Sequence, residues 1–169
     1  HVVLGLFFNE PKHWHFEELK KKTGLSRGRL DFWLKKLHKE GIIKRVKPRG
    51  KMPYYVTQPE DPSFRNKKRL FALDQFYQTG FLDHLQSLDA KTVVIFGSMA
   101  RSDWYADSDI DVFILGHADD FEQGRFESRL GREIQVFNTM KKCSPDLITN
   151  IASGFVVKGS MREVLRGKV

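Results

Sequence analysis

Apolar positions in the first forty residues recur with a helical period in three clusters. Val2 to Phe8 is a short, almost wholly apolar run that reads as a buried helix, and Phe16 to Lys22 reads as a second helix with Phe16 and Leu19 turned inward. Thr23-Gly24-Leu25-Ser26 then forms a turn, in which Gly24 takes the positive φ after a helix end, Leu25 plugs the core and Ser26 caps the next helix. The third helix runs to about Glu40, where Gly41 stops it. At roughly 100° per residue Leu30, Trp33, Leu34 and Leu37 make one core stripe, while Arg29, Phe32, Lys35, Lys36 and Lys39 lie toward the other side. After Gly41 the pattern changes to two short extended runs, Ile42 to Val46 and Pro53 to Thr57, joined by Lys47-Pro48-Arg49-Gly50-Lys51. That is a hairpin with a cationic tip.

Gln58 to Pro62 breaks the hairpin, and from Ser63 to about Leu88 the residues Phe64, Leu70, Leu73, Phe76, Tyr77, Phe81, Leu82 and Leu85 predict one long helix or two, with Gly80 as the weak point. Thr92 to Phe96 reads as a buried strand that feeds a short helix through Gly97-Ser98. Asp107 to Leu115 opens as an acidic loop and continues as a strand. Its period of two sends Ile110, Val112 and Ile114 to the core and Asp109 and Asp111 to the other face. A helical segment from Asp119 to Leu130, a strand from Arg132 to Phe137, a helix capped by Ser144-Pro145-Asp146 and a closing strand from Phe155 to Lys158 complete the chain. The expected class is α+β, divided as residues 1–60, a connecting helical segment 61–90, and 91–169.

With 169 residues and 40% apolar content, the chain is long enough to build cores, which excludes fibrous and wholly disordered classes. No apolar run approaches the roughly 18 to 20 residues of a membrane span. The opening run lacks a preceding basic segment and a following small-residue cleavage site, and Cys143 has no partner for a disulfide, so the expectation is a cytoplasmic chain with no membrane partner. His1 stands where an initiator would, which implies residues upstream. Cys143 reads as a spare thiol, and His13 and His15 as ordinary surface.

Charge changes the picture. Residues 1–69 carry 18 Lys/Arg against 7 Asp/Glu, a net of +11, whereas residues 70–169 carry 11 against 14, a net of −3. The first part calls for a polyanion. Helix, helix, turn, helix and basic hairpin, with Thr23-Gly24-Leu25-Ser26, Leu34-Lys35-Lys36-Leu37 and Glu40-Gly41-Ile42-Ile43, resembles the winged-helix transcriptional regulators over roughly 60 residues. A third helix of this kind fits a major groove of double-stranded DNA, with Ser26, Arg27 and Arg29 in its first turn meeting bases or phosphates. Lys47, Arg49 and Lys51 would lie on the DNA backbone and make affinity salt-sensitive. Winged helices also dock proteins, and Phe32 on the basic face fits that use.

The second part carries candidate chemistry. A strand that enters a helix through Gly-Ser is a phosphate seat, because Gly97 lets backbone approach an anion and Ser98 adds a hydroxyl. Asp109 and Asp111, at the mouth of an apolar strand, are costly to hold together without a cation, and Mg²⁺ prefers such hard oxygen ligands. Gly97-Ser98-Met99-Ala100-Arg101 followed by Asp107-Ser108-Asp109-Ile110-Asp111 resembles the signature of the DNA polymerase β-like nucleotidyltransferase superfamily in its minimal form. The resemblance spans about residues 91–158. It implies a small mixed sheet flanked by helices, a nucleoside triphosphate such as ATP held by Gly97 and Ser98, and Mg²⁺ or Mn²⁺ held by Asp109 and Asp111. Arg101 either contacts phosphate or makes a surface salt bridge. An acceptor hydroxyl would attack the α-phosphorus with pyrophosphate leaving, helped by a third carboxylate from a later strand. In minimal relatives that strand often reads Gly-Arg-x-Val-Asp-Leu-Val, which sets Gln135 against the expected aspartate and leaves Glu133, two residues earlier on the same face, as the substitute. Trp104 and Tyr105 read as base-stacking or as packing residues.

Three functions follow from these features. The first is a DNA-binding nucleotidyltransferase that moves a nucleoside monophosphate onto a hydroxyl of a protein, nucleic acid or small molecule. The second is a transcriptional regulator that senses a nucleotide without turning it over. The third is the antitoxin half of a two-protein module that modifies or blocks a toxin.

Overall fold

The computed structural model describes residues 2–138 and 144–166, so Cys143 and His1 lie outside the described residues. Two compact units divide the chain, His1–Phe71 and Ala72–Val169.

The first unit begins with α1 (Val2–Asn9), α2 (Phe16–Thr23) and α3 (Arg27–Lys39), continues with the strands β1 (Ile43–Val46) and β2 (Tyr54–Thr57), and ends within α4 (Pro62–Gln78). Gly24, at φ 66°, closes α2 by donating its N–H to the Lys20 carbonyl, and Ser26 caps α3 by accepting the Arg29 N–H. Phe7, Phe8, Leu19, Leu30, Leu34 and Leu37 are buried in this unit. Trp14, also buried, is the residue that ties the helices to the hairpin: its N–H and carbonyl each bond Tyr55 backbone, at 2.9 and 2.8 Å. The hairpin is antiparallel, with Ile43 opposite Thr57 and Val46 opposite Tyr54. Trp33 departs from the sequence expectation. It is only half-buried, with the Lys36 ammonium 5.0 Å from its ring, because Leu30, Leu34 and Leu37 already fill the inward stripe. Phe32 is 60% exposed.

The first unit's boundary falls inside α4, whose buried positions are Phe64, Lys68, Ala72 and Phe76, a strict four-residue repeat. Leu70 and Tyr77, expected inward, are more than half exposed. The buried stripe contains a lysine, so counting apolar residues places the helix face wrongly. Gly80, at φ 75°, separates α4 from α5 (Phe81–Ser87).

In the second unit, β3 (Ala90–Phe96), α6 (Ser98–Arg101), β4 (Ile110–Gly116), α7 (Gln123–Leu130), β5 (Ile134–Phe137), α8 (Pro145–Ala152), β6 (Phe155–Lys158) and α9 (Met161–Arg166) follow. They form a mixed α+β layer around one small sheet of order β5-β4-β3-β6. Only β4 and β5 run parallel; β3 is antiparallel to both its neighbours. Residues Thr92 to Phe96 of the central strand β3 are all buried, as expected of a strand covered on both faces. Val94, Phe96 and Phe113 pack with Ile151 and Val164 in one core cluster, which fixes the end of β3 against the start of β4. The helical segment expected from Asp119 begins only at Gln123, and the strand expected from Arg132 only at Ile134. No helix among the described residues is long and apolar enough to cross a membrane.

Candidate nucleotide and metal site

Antiparallel pairing of β3 with β4 sets Phe96 opposite Asp111, so the turn that leaves β3 lies beside that carboxylate. Gly97 makes the turn at φ 70° and ψ −144° and opens the one-turn helix α6. Two separate constraints demand glycine here. The φ is one that L side chains rarely adopt, and a Cβ would lie 2.0 Å from Asp111 Oδ2. The Asp111 carboxylate therefore packs directly on the Gly97 backbone and takes the space a side chain there would need. Ser98 is half-buried at the start of α6, and the helix closes at Ser102, which adopts φ 65° and donates its N–H to the Ser98 carbonyl.

The acids follow from the same register. Asp111 is half-buried, and burial raises its pKa above 3.8, with the Asp109 charge adding to the rise and the Arg101 charge opposing it. Two like charges thus converge on one partly desolvated place. The parallel pairing of β4 with β5 sets Asp111 opposite Gln135, and Gln135 Nε2 donates to Asp109 Oδ2 at 2.6 Å. The third position of the cluster is an amide. Glu133 is exposed just before β5, where its carbonyl accepts the Ile110 N–H. Among the described residues, no group of three or more His, Cys, Asp and Glu is arranged to hold a metal ion. What favours a cation is the acid pair itself: Asp109 and Asp111 are hard oxygen donors whose mutual repulsion an added positive charge would relieve.

Arg101 ends α6 with Nε donating to Asp103 Oδ2 at 3.0 Å and Nη1 donating to Asn150 Oδ1 at 2.9 Å. It reaches Asp111 through its field. Arg132 is the functional residue that the sequence did not single out. Its Nη1 donates to the carbonyls of Ala106 and Ser108, each at 2.9 Å, and to that of Tyr105, while its guanidinium lies 5.1 Å from the Trp104 ring centre. Burial lowers its pKa, opposed by the charge of Asp107. This one side chain holds the loop that delivers Asp109. Trp104, 1% exposed, is packed under it, and Tyr105 is the exposed ring of the pair. The signal was the Gly131-Arg132 pair ahead of β5, but nothing local to an arginine announces three carbonyls 24 to 27 residues away in sequence.

In the first unit Ser26, Arg27 and Arg29 are exposed at the start of α3, and Lys47, Arg49 and Lys51 are exposed between β1 and β2. Arg27 is engaged, with Nη2 2.9 Å from Glu17 Oε1 and its guanidinium 5.1 Å from the Phe16 ring. Asp31 is paired with Lys35 at 2.7 Å, which cancels its charge on the basic face. His13 stacks on Tyr54, and His15 Nδ1 bonds the Pro53 carbonyl.

Residues 79–166 match the nucleotidyltransferase domain family, a little over half of the chain, and the chain belongs to that family. Its members typically use a nucleoside triphosphate and a divalent metal. No curated protein matches the chain. Among solved structures, one described as the crystal structure of a toxin-antitoxin with AMP-PNP is similar at 15% identity, over 55% of this chain and 77% of that one, with a TM-score of 0.39.

Proposed function

We propose that the second unit binds a nucleoside triphosphate with Mg²⁺ or Mn²⁺ and transfers its nucleoside monophosphate to an acceptor hydroxyl. The observation that carries this reading is the close approach of Gly97 to Asp111 beside Asp109. Asp109 and Asp111 would hold the cation, which when bound neutralises charge on the triphosphate and the attacking oxygen. Gly97 admits a phosphate close to backbone, Ser98 offers its hydroxyl, and Arg101 contributes a positive field. The acceptor oxygen forms a bond to the α-phosphorus, the bond to pyrophosphate breaks, and the hydroxyl proton passes to water or to a carboxylate. Gln135 cannot take that proton. Glu133, exposed two residues before Gln135 and just ahead of β5, is the candidate carboxylate, and its recruitment depends on where the acceptor enters. A second reading rests on the Gln135 to Asp109 hydrogen bond, which occupies a carboxylate oxygen with a neutral donor: the unit senses a nucleotide and turns it over weakly or not at all.

The test is incubation of the protein with Mg²⁺, labelled triphosphates and candidate protein, nucleic-acid and small-molecule acceptors. Label transfer with equal release of pyrophosphate supports transfer. Tight triphosphate binding without release favours sensing, and no binding of any triphosphate removes both readings.

The first unit is, in the same proposal, a winged-helix module that binds duplex DNA, with α3 in the major groove and the β1–β2 tip on the backbone. Its element order, its excess of positive charge and the exposed Arg29, Lys47, Arg49 and Lys51 support this. Affinity for duplex is expected to fall steeply with salt. Replacing Lys47, Arg49 and Lys51 by alanine is expected to flatten the log–log slope by about 0.9 for each phosphate left without a cation, read by fluorescence anisotropy across a salt series. Equal slopes for variant and parent would take the tip out of the interface.

A further inference from the structure

Gly28 has no evident reason to be glycine. It lies in the first turn of α3, outside the positive-φ positions, and a Cβ on it would meet nothing within 4 Å. Helical glycine costs about 0.5–1 kcal/mol relative to alanine, so neither backbone conformation nor internal packing accounts for it. What lies over Gly28 is a cavity of about 640 Å³ whose walls include Phe16, Arg27, Arg45, Met52 and Tyr55. That volume is in the range of sites that enclose a small molecule or a single nucleotide.

The walls define the ligand. Phe16 and Tyr55 supply aromatic surface, and Met52, 70% exposed, supplies a flexible thioether that adapts to a flat ring. Both carboxylates at the cavity are already matched, Glu17 by Arg27 and Asp31 by Lys35. Arg45 differs. Its exposed guanidinium makes no hydrogen bond or ion pair among the described residues, so it is the uncompensated charge of the cavity. From there the cationic tip continues through Lys47, Arg49 and Lys51 to Met52. An aromatic-lined space with one spare guanidinium, followed in the chain by a row of cations, complements a base, its phosphate and further phosphates along a strand.

We infer that this cavity receives one unstacked nucleotide, its base over Gly28 against Phe16, Tyr55 and Met52 and its phosphate on Arg45. A paired base in a duplex is stacked and cannot enter, so the site selects single-stranded or locally opened nucleic acid. The inference rests on the reading of the first unit as a nucleic-acid-binding module, and adds to it a preference that a groove-reading helix alone does not have.

The full chain is titrated against a labelled single strand of about ten nucleotides, a length in the range that single-strand-binding domains cover, and against the matching duplex. Gly28→Leu adds bulk at the cavity wall from a position with room for the side chain and better helix propensity. The variant is expected to melt no lower than the parent and to lose about tenfold or more affinity for the single strand beyond any loss on duplex. Arg45→Gln is expected to weaken single-strand binding severalfold with a shallower salt slope. Displacement of the strand by AMP would show that base and phosphate alone suffice, whereas indifference to AMP alongside weakened strand binding in Gly28→Leu assigns the site to a strand. Unchanged single-strand affinity in Gly28→Leu, or an equal weakening on duplex, overturns the inference and leaves the module reading standing. A parent protein that binds neither form removes both.

Discussion

Asp109→Asn and Asp111→Asn are each expected to lose at least about a hundredfold in cation-dependent triphosphate affinity, and Asp111→Asn is expected to melt higher than the parent when no cation is present. The two effects have one cause. Asp111 is held half-buried beside Asp109, and its pKa is raised first by burial and then by that neighbour's charge. Because the folded state keeps this proton longer than the unfolded chain does, the stability linked to it is fully present below 3.8 and is lost as pH rises through the elevated value. At neutral pH the parent therefore carries a destabilising charge that an amide of the same shape removes. The melting advantage of Asp111→Asn is expected to grow as pH climbs through that window and to vanish once Mn²⁺ and a non-hydrolysable triphosphate are added to the parent, since ligand that binds only the folded state stabilises it by mass action. Calorimetry with Mn²⁺ and thermal melts across pH measure both halves. Parent-like binding in both variants, or a lower melting point for Asp111→Asn throughout, would mean that the acids are structural and that no cation belongs between them.

Local pattern carried much of this molecule, and it failed where a partner came from far along the chain. The Ser26 cap, the Gly24 helix end and the Ser144 cap are short-range chemistry, and each appears where the sequence places it. The two aspartates and the Gly97 turn are also local, but their meeting is not. It depends on the register of β3 with β4, which sets Phe96 opposite Asp111. Hydrophobic counting misjudged α4, because its buried stripe includes Lys68 and excludes Leu70 and Tyr77. Trp14 and Arg132 were missed for a related reason. Each acts through backbone groups of remote segments, Tyr55 for the one and the loop from Tyr105 to Ser108 for the other, and no periodicity reports such contacts. The cavity over Gly28 was illegible in the same way, since a helical glycine in a sequence reads only as a weak point.

Gln135→Asp is expected to raise nucleotidyl transfer by about a hundredfold, within the range that a positioned general base contributes. Strand register is the basis of the expectation. Gln135 stands opposite Asp111 on the parallel neighbour β5, and its amide already reaches Asp109 at 2.6 Å. An aspartate there is one methylene shorter, which draws the group back from contact while keeping it on the same face of the strand. It replaces a neutral donor with a third negative charge beside a pair that already raises one member's pKa. Without a cation the variant is therefore expected to melt lower than the parent, and with Mn²⁺ to regain more stability than the parent gains. Calorimetry is expected to show additional Mn²⁺ bound per chain in the presence of a non-hydrolysable triphosphate, a readout independent of turnover. Glu133 provides the opposing outcome. If its carboxylate already activates the acceptor, Gln135→Asp leaves both transfer and Mn²⁺ stoichiometry unaltered, while Glu133→Gln abolishes transfer and spares triphosphate binding.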